Sequence, residues 1–182
     1  RAMEGQIGEL EEDQKRVFET GSTLDFGRLR AESFAVSHDA AEPVGFCFYE
    51  GDAKLSIATD LGYISANVRE KIADSDVLVL EANHDVEMLR VGRYPWNVKR
   101  RILGDTGHLS NEAAGEGLCG LVTERTKRVY LAHLSKDHNL MDLARMTVNS
   151  ILQEYGVLEK HGRLRLMDTY YDRAAGWDEV ER

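Results

Sequence analysis

Five side chains carry most of the chemistry that this sequence offers, and four of them stand at the ends of short apolar runs. Phe34-Ala35-Val36-Ser37 leads to His38-Asp39, Leu55–Ala58 leads through Thr59 to Asp60, Val77–Leu80 leads to Glu81, and Val129–Ala132 leads to His133. One Asp after a strand is usually a turn or cap residue, and one His there is usually a hydrogen-bonded structural residue. Four such exits in one chain point instead to a shared rim, because open α/β sheets present ligand-binding groups where the chain leaves the strands. His38, Asp60 and His133 form a His/Asp/His donor set suited to Zn²⁺, Mn²⁺ or Fe²⁺, and a carboxylate can bridge two ions. The ligands are scattered, so spacing alone is a weak signal.

The fifth group is His108, in Gly107-His108-Leu109-Ser110-Asn111. It reads either as part of a helix cap centred on Ser110 or as an imidazole paired with a carboxylate. A partner at Glu81 or Asp85 would fix its tautomer and raise its pKa, so that it could give a proton to a leaving group. Glu81-Ala82-Asn83-His84-Asp85 is unusually polar for a strand exit and places His84 and Asp85 close by without assigning them a role. The stretch from Arg90 to Arg101 is basic with interleaved aromatics, in an otherwise acidic chain. Arg90, Arg93, Trp96, Lys99, Arg100 and Arg101 are candidate contacts to nucleic-acid phosphates and bases. The alternative is a solvated helix face with Trp96 packed inward as an anchor.

The elements that must position these groups follow from periodicity and punctuation. Strands are expected at 17–19, 23–26 and 29–37, and a hairpin at 44–49 and 54–59 around Glu50-Gly51-Asp52. Thereafter strands at 76–81, 128–133 and 163–167 alternate with helices. The helices run from Ser65 through Ala73, from Asp85 through Val91, from Pro95 to Leu103, from Ser110 to about Thr123, and from Asn139 or Asp142 to Tyr155. Leu143, Met146, Ile151 and Leu152 give the last helix an apolar side, and Gly156 stops it. Gly115, Gly117 and Gly120 weaken the Ser110 helix by about 1 kcal/mol each relative to Ala, unless close packing requires them. Strands first and βα alternation later indicate α/β layers in one domain spanning 1–182.

Composition narrows the class. With 182 residues the chain can bury about 70% of its unfolded surface. No apolar run approaches the ~20 residues that a bilayer span needs, and no secretory signal pattern opens the sequence. Cys47 and Cys119 read as reduced packing residues, so a cytoplasmic location is expected. A net charge of −9 argues against a protein that coats nucleic acid, though not against one that uses a local basic patch.

Taken in order, Ser37-His38-Asp39-Ala40, Thr59-Asp60-Leu61-Gly62, Glu81-Ala82-Asn83-His84-Asp85, Gly107-His108-Leu109-Ser110-Asn111 and Leu131-Ala132-His133-Leu134-Ser135 resemble the metallo-β-lactamase fold, and more narrowly its YycJ/WalJ branch. The resemblance runs from about Gly5 to Tyr170, and five ordered motifs make it specific. It implies an αββα sandwich. It also implies that His38 ligates a first metal, that Asp60 bridges two divalent ions (Zn or Mn, or Fe), and that His133 ligates the second. Glu81 and His108 would be the carboxylate–histidine pair that assists the leaving group. The implied activity is that of a 5′-to-3′ exonuclease on DNA, with RNA as a second expected nucleic acid. The family's HxHxDH loop, which supplies most of the metal ligands, is absent from this sequence, and Arg1-Ala2-Met3-Glu4 lacks an initiator methionine. The expectation is therefore the C-terminal part of a longer protein, incomplete at its N-terminus, whose two-metal site is completed by ligands from outside this chain. Homodimerisation through an uncovered sheet face is a further expectation.

Two other readings stay open on the sequence. The same scaffold can hydrolyse another ester, such as a thioester. Alternatively the chain is a non-catalytic module whose strand-end residues only cap and hydrogen-bond.

Overall fold

The computed structural model describes residues 8, 11 and 14–180. Seven strands form one sheet in sequence order: β1 (Thr23–Phe26), β2 (Leu29–Ala35), β3 (Val44–Glu50), β4 (Ala53–Ala58), β5 (Val77–Glu81), β6 (Arg128–Ala132) and β7 (Arg165–Met167). β1 to β4 are antiparallel neighbours, and β4 to β7 are parallel. The helices are α1 (Ala66–Ile72), α2 (Val86–Val91), α3 (Trp96–Ile102), α4 (Asn111–Cys119), α5 (Met141–Glu154) and α6 (Val157–Lys160).

This topology explains the rim. β2 and β4 are each antiparallel to β3, so they run the same way, and β5 and β6 run parallel to β4. The chain therefore leaves β2, β4, β5 and β6 at one edge of the sheet, and those exits deliver His38, Asp60, Glu81 and His133.

One face of the sheet is sealed. Cys47, Ser56, Ala58, Leu78, Leu80, Val129 and Leu131 are buried against a core that includes Val68 and Ile72 of α1, Ala114 and Leu118 of α4, and Ala144, Val148 and Leu152 of α5. α4 and α5 pack closely because their shared contact contains glycine. A Cβ at Gly115 would press on the Ile151 side chain, and one at Gly117 would meet Ile64. The glycines that weaken α4 as an isolated helix are thus required by its packing. The other face alternates with the first and carries Phe46, Phe48, Leu55, Ile57, Val77, Val79 and Tyr130, all partly exposed. Phe18 sets its ring edge against Phe46. Asp178 accepts hydrogen bonds from Arg128 Nε at 2.6 Å and from the Tyr130 hydroxyl at 3.3 Å, which ties the C-terminal stretch to this face.

Several element expectations change. Residues 17–19 are not a strand. β2 ends at Ala35 and β4 at Ala58, so His38 and Asp60 sit in loops just past the sheet. α4 stops at Cys119, and Leu121 and Val122 are buried in the turn that follows. The buried line of α5 is Ala144, Val148 and Leu152, while Met146 is 68% exposed. Gly156 does adopt the left-handed conformation expected of a stop (φ 68°), but the short helix α6 begins at the next residue. The described residues contain one sheet, which is one half of the expected sandwich. Arg1–Glu4 and most of residues 5–16 lie outside the described residues.

Candidate active site

Glu81 is the centre of the rim. It is the last residue of β5 and fully buried, yet both carboxylate oxygens are used twice. Oε1 accepts from His108 Nδ1 at 2.8 Å and from His133 Nδ1 at 2.7 Å. Oε2 accepts from the backbone N–H of Leu61 at 2.9 Å and of Leu109 at 3.3 Å. One side chain therefore ties together the loops after β4 and β6 and the approach to α4. Burial works against its ionisation, but the donors from His108, His133 and Leu61 outweigh it and hold the carboxyl below the usual range. In return, the Glu81 hydrogen bond holds His133 above the usual imidazole range against the effect of burial.

Asp60 faces all three rim histidines. Its Oδ1 lies 3.6 Å from His38 Nε2, 3.6 Å from His133 Nδ1 and 3.8 Å from His108 Nδ1. The rings of His38 and His108 have centroids 4.9 Å apart, and those of His108 and His133 5.2 Å. His38 is oriented from behind, with Nδ1 3.0 Å from the carbonyl oxygen of Gly107. An N–H must lie between those two atoms, so the neutral tautomer of His38 has its lone pair on Nε2.

The loops beneath interlock through groups that sequence reasoning passed over. Ser37 Oγ donates to the Asp105 carbonyl at 2.7 Å, Gly62 N–H to the Ser37 carbonyl at 2.9 Å, and Asn83 Nδ2 to the His133 carbonyl at 2.7 Å. A Cβ at Gly62 would collide with the Asp105 backbone. Asp39 takes a two-pronged ion pair from Arg101, with Nη2 to Oδ1 at 2.9 Å. Asp60 (φ 57°) and His133 (φ 58°) both hold left-handed backbone conformations. No signal in the sequence announces these two conformations or the loop contacts, because each depends on what a distant segment brings alongside.

The remaining candidates fall in different places. Asp85 caps α2, accepting from Met88 N–H at 2.7 Å. His84 is buried, and among the described residues neither ring nitrogen has a partner; burial pushes its pKa down to about 4. Lys99 is buried as well, and its ammonium donates to the Arg90 carbonyl at 2.6 Å, holding α3 to the end of α2. Arg90 pairs with Glu87 on α2. Arg93, Arg100 and Arg101 are exposed, and Trp96 is 60% exposed rather than packed inward. Arg101 and Val98 reach the edge of a cavity of about 420 Å³ that also contains His38, His108 and His133.

The donor chemistry fits a divalent cation. Asp60, Glu81, His108 and His133 offer ligand atoms that all lie within 4.8 Å of one another. Within that group the lone pairs of Glu81 are spent on four donors, which makes it an orienting group. Asp60 is half exposed, and in His38 and His133 it is Nδ1 that is bonded, to the Gly107 carbonyl and to Glu81, which leaves the second ring nitrogen of each as a donor atom. A histidine whose other nitrogen donates to a carboxylate or carbonyl is the usual form of a metal-ligating histidine.

The family model for the Beta-lactamase superfamily domain matches residues 4–134. The chain belongs to that superfamily. Within it the chain is 50% identical to an exodeoxyribonuclease YycJ from Bacillus anthracis, over 85% of this chain and 59% of the relative. It is 45% identical to an exodeoxyribonuclease WalJ from Streptococcus pneumoniae, over 84% of this chain and 58% of the relative. These identities place it in the YycJ/WalJ branch of the metallo-β-lactamase fold. The chain spans somewhat less than two thirds of the length of these curated relatives. Solved structures agree on the fold. YhfI from Bacillus subtilis matches with a TM-score of 0.55 at 15% identity, covering 74% of this chain and 48% of that one. The Zn²⁺-bound PqqB of Methylobacterium extorquens matches with 0.54 at 15% identity, covering 84% and 50%. The fold and the rim cluster agree on a divalent-metal site. No described helix is long and apolar enough to cross a membrane.

Proposed function

We propose that this chain carries the leaving-group side and part of the metal site of a metal-dependent phosphodiesterase, a 5′-to-3′ exonuclease on DNA. The observation that supports it most is the Glu81 carboxylate held between His108 and His133. His133 Nδ1 is committed to Glu81, which leaves its Nε2 to ligate alongside Asp60 and His38. His108 Nδ1 is committed to the same oxygen, so its protonated Nε2 is free to face a departing oxygen. The buried carboxylate stabilises the imidazolium before transfer and orients the neutral ring afterwards. When bound, divalent ions at such a site supply activated water and neutralise the phosphoryl oxygens. Two ions need more donors than these side chains provide. Arg93 in the turn before α3, and Trp96 and Arg100 on the exposed side of that helix, with Arg101 fixed by Asp39, offer phosphate and base contacts beside the cavity.

The test separates acid catalysis from structural support. On metal-loaded protein, His108→Ala should cut DNA hydrolysis by roughly 10²–10⁴-fold. It should change bis(p-nitrophenyl) phosphate hydrolysis little, because that leaving group departs without a proton. An equal loss on both substrates overturns the assignment of His108.

A further inference from the structure

A second cavity adjoins the one at the rim. It has a volume of about 600 Å³, within the range of small-ligand sites. The segment from His133 to Lys136 lines both cavities and forms the wall between them. The far side is apolar and aromatic: Leu140 is 62% exposed, Tyr170 40% and Tyr171 78%. Cations lie over both rings, with Lys136 Nζ 4.3 Å from the Tyr171 centroid and Arg173 Cζ 3.9 Å from that of Tyr170. The tyrosines are not a loose end. Thr169 Oγ1 donates to the Leu131 carbonyl of β6 at 2.8 Å, and Asp168 is paired with Arg145 of α5. One acidic group, Asp172, also lines the cavity.

Exposed aromatic rings with cations at their faces suit a planar base joined to a phosphate, since every base has a π-face and the linkage is anionic. The position suits it too, because a strand whose phosphodiester lies at His108 and His133 meets this groove on crossing the Leu134–Lys136 wall. We propose that the Tyr170/Tyr171 groove binds one unpaired nucleotide of the substrate strand, its base stacked on the tyrosines and its phosphate drawn to Lys136. The occupant is single-stranded, because a paired base keeps its faces against its own neighbours. The inference rests on the nuclease reading, and it assigns α3 and the tyrosines to opposite sides of the scissile bond.

The test uses the metal-loaded protein, short single-stranded oligonucleotides carrying a fluorescent base analogue at successive positions, and bis(p-nitrophenyl) phosphate, which has no base. In the wild type, quenching should peak at one position near the cleaved end. Tyr171→Ala and Tyr170→Ala should abolish that peak and raise KM for the oligonucleotide by about tenfold or more, with bis(p-nitrophenyl) phosphate turnover unchanged. Tyr171→Trp should restore both. If the wild type cleaves the oligonucleotide and the alanine variants keep its KM and the quenching peak, the groove assignment is overturned while the nuclease reading stands. If the wild type neither quenches nor cleaves any oligonucleotide, the nuclease reading falls and the groove assignment falls with it.

Discussion

Two sets of histidines in this protein are held by opposite means. At the rim, His38, His108 and His133 each have a hydrogen-bond partner, and the partners are a carbonyl and one shared carboxylate. Behind them, His84 and His138 are almost fully buried, and ring nitrogens of both are without partners among the described residues. His138 is positioned by its backbone, which accepts from Asp85 N–H and donates to Ser135 Oγ, and by the Tyr94 ring at 4.3 Å between centroids. The rim histidines are thus fixed by directional bonds that leave a nitrogen available, and the interior ones by shape. Charge follows the same division: Glu81 raises the pKa of His133, while burial lowers that of His84 to about 4. Chemistry is available where orientation comes from a partner.

The comparison is broken most severely at Glu81. Glu81→Gln replaces an acceptor of four hydrogen bonds with an amide that must point donors at donors, so His108 and His133 lose their orientation. DNA hydrolysis should fall by roughly 10²–10⁴-fold, with metal content reduced in the same preparation. Retained activity would mean that the shared carboxylate is not what makes the rim.

Next comes pH. With a folded pKa near 4 against 6.5 unfolded, His84 takes up its proton in the unfolded state first. Between those values unfolding binds protons, so stability is complete above about pH 6.5 and falls as pH drops toward 4, by up to about 3 kcal/mol. Urea denaturation with chelator present should show this slope, and His84→Phe should flatten it. An unchanged slope would place the titration elsewhere.

A smaller effect is expected at Gly92, where a Cβ would run into the His138 ring and the Met88 carbonyl. Gly92→Ala should cost about 1–3 kcal/mol of stability, the usual penalty for overpacking, and should leave the rim's metal content intact. Ser37→Ala removes only the bond to the Asp105 carbonyl. It should cost about 1 kcal/mol and weaken metal binding through His38. If the two variants behave alike in metal content, the division between bonded and packed histidines is wrong.

Much of this rim was legible in the sequence because the relevant signals are local. Apolar runs ending on His, Asp and Glu need only strand periodicity to be seen, and Ser65, Asp85 and Ser110 cap helices where their side-chain chemistry says they should. What was not legible is non-local. Lys99 reads as one more cation in a basic run until α2 supplies a carbonyl for it. Trp96 looks like an anchor until the tertiary fold turns it outward. Met146 is as apolar as Val148, and only the position of α4 decides which of them is covered. The order of five motifs carried the fold, whereas the Glu81 hub needed four segments in contact before its second pair of acceptor bonds could be recognised.

The left-handed backbone at Asp60 and His133 has a practical consequence for anyone who breeds this protein. An L-residue there carries a conformational penalty of about 1–2 kcal/mol that glycine escapes, less what glycine loses in chain entropy. A library sorted for heat resistance alone would therefore enrich Asp60→Gly, discarding a proposed metal ligand while the survivors melt no earlier, whereas His133→Gly would also give up the bond to the buried Glu81 carboxylate. Selection on this scaffold has to score turnover in every round.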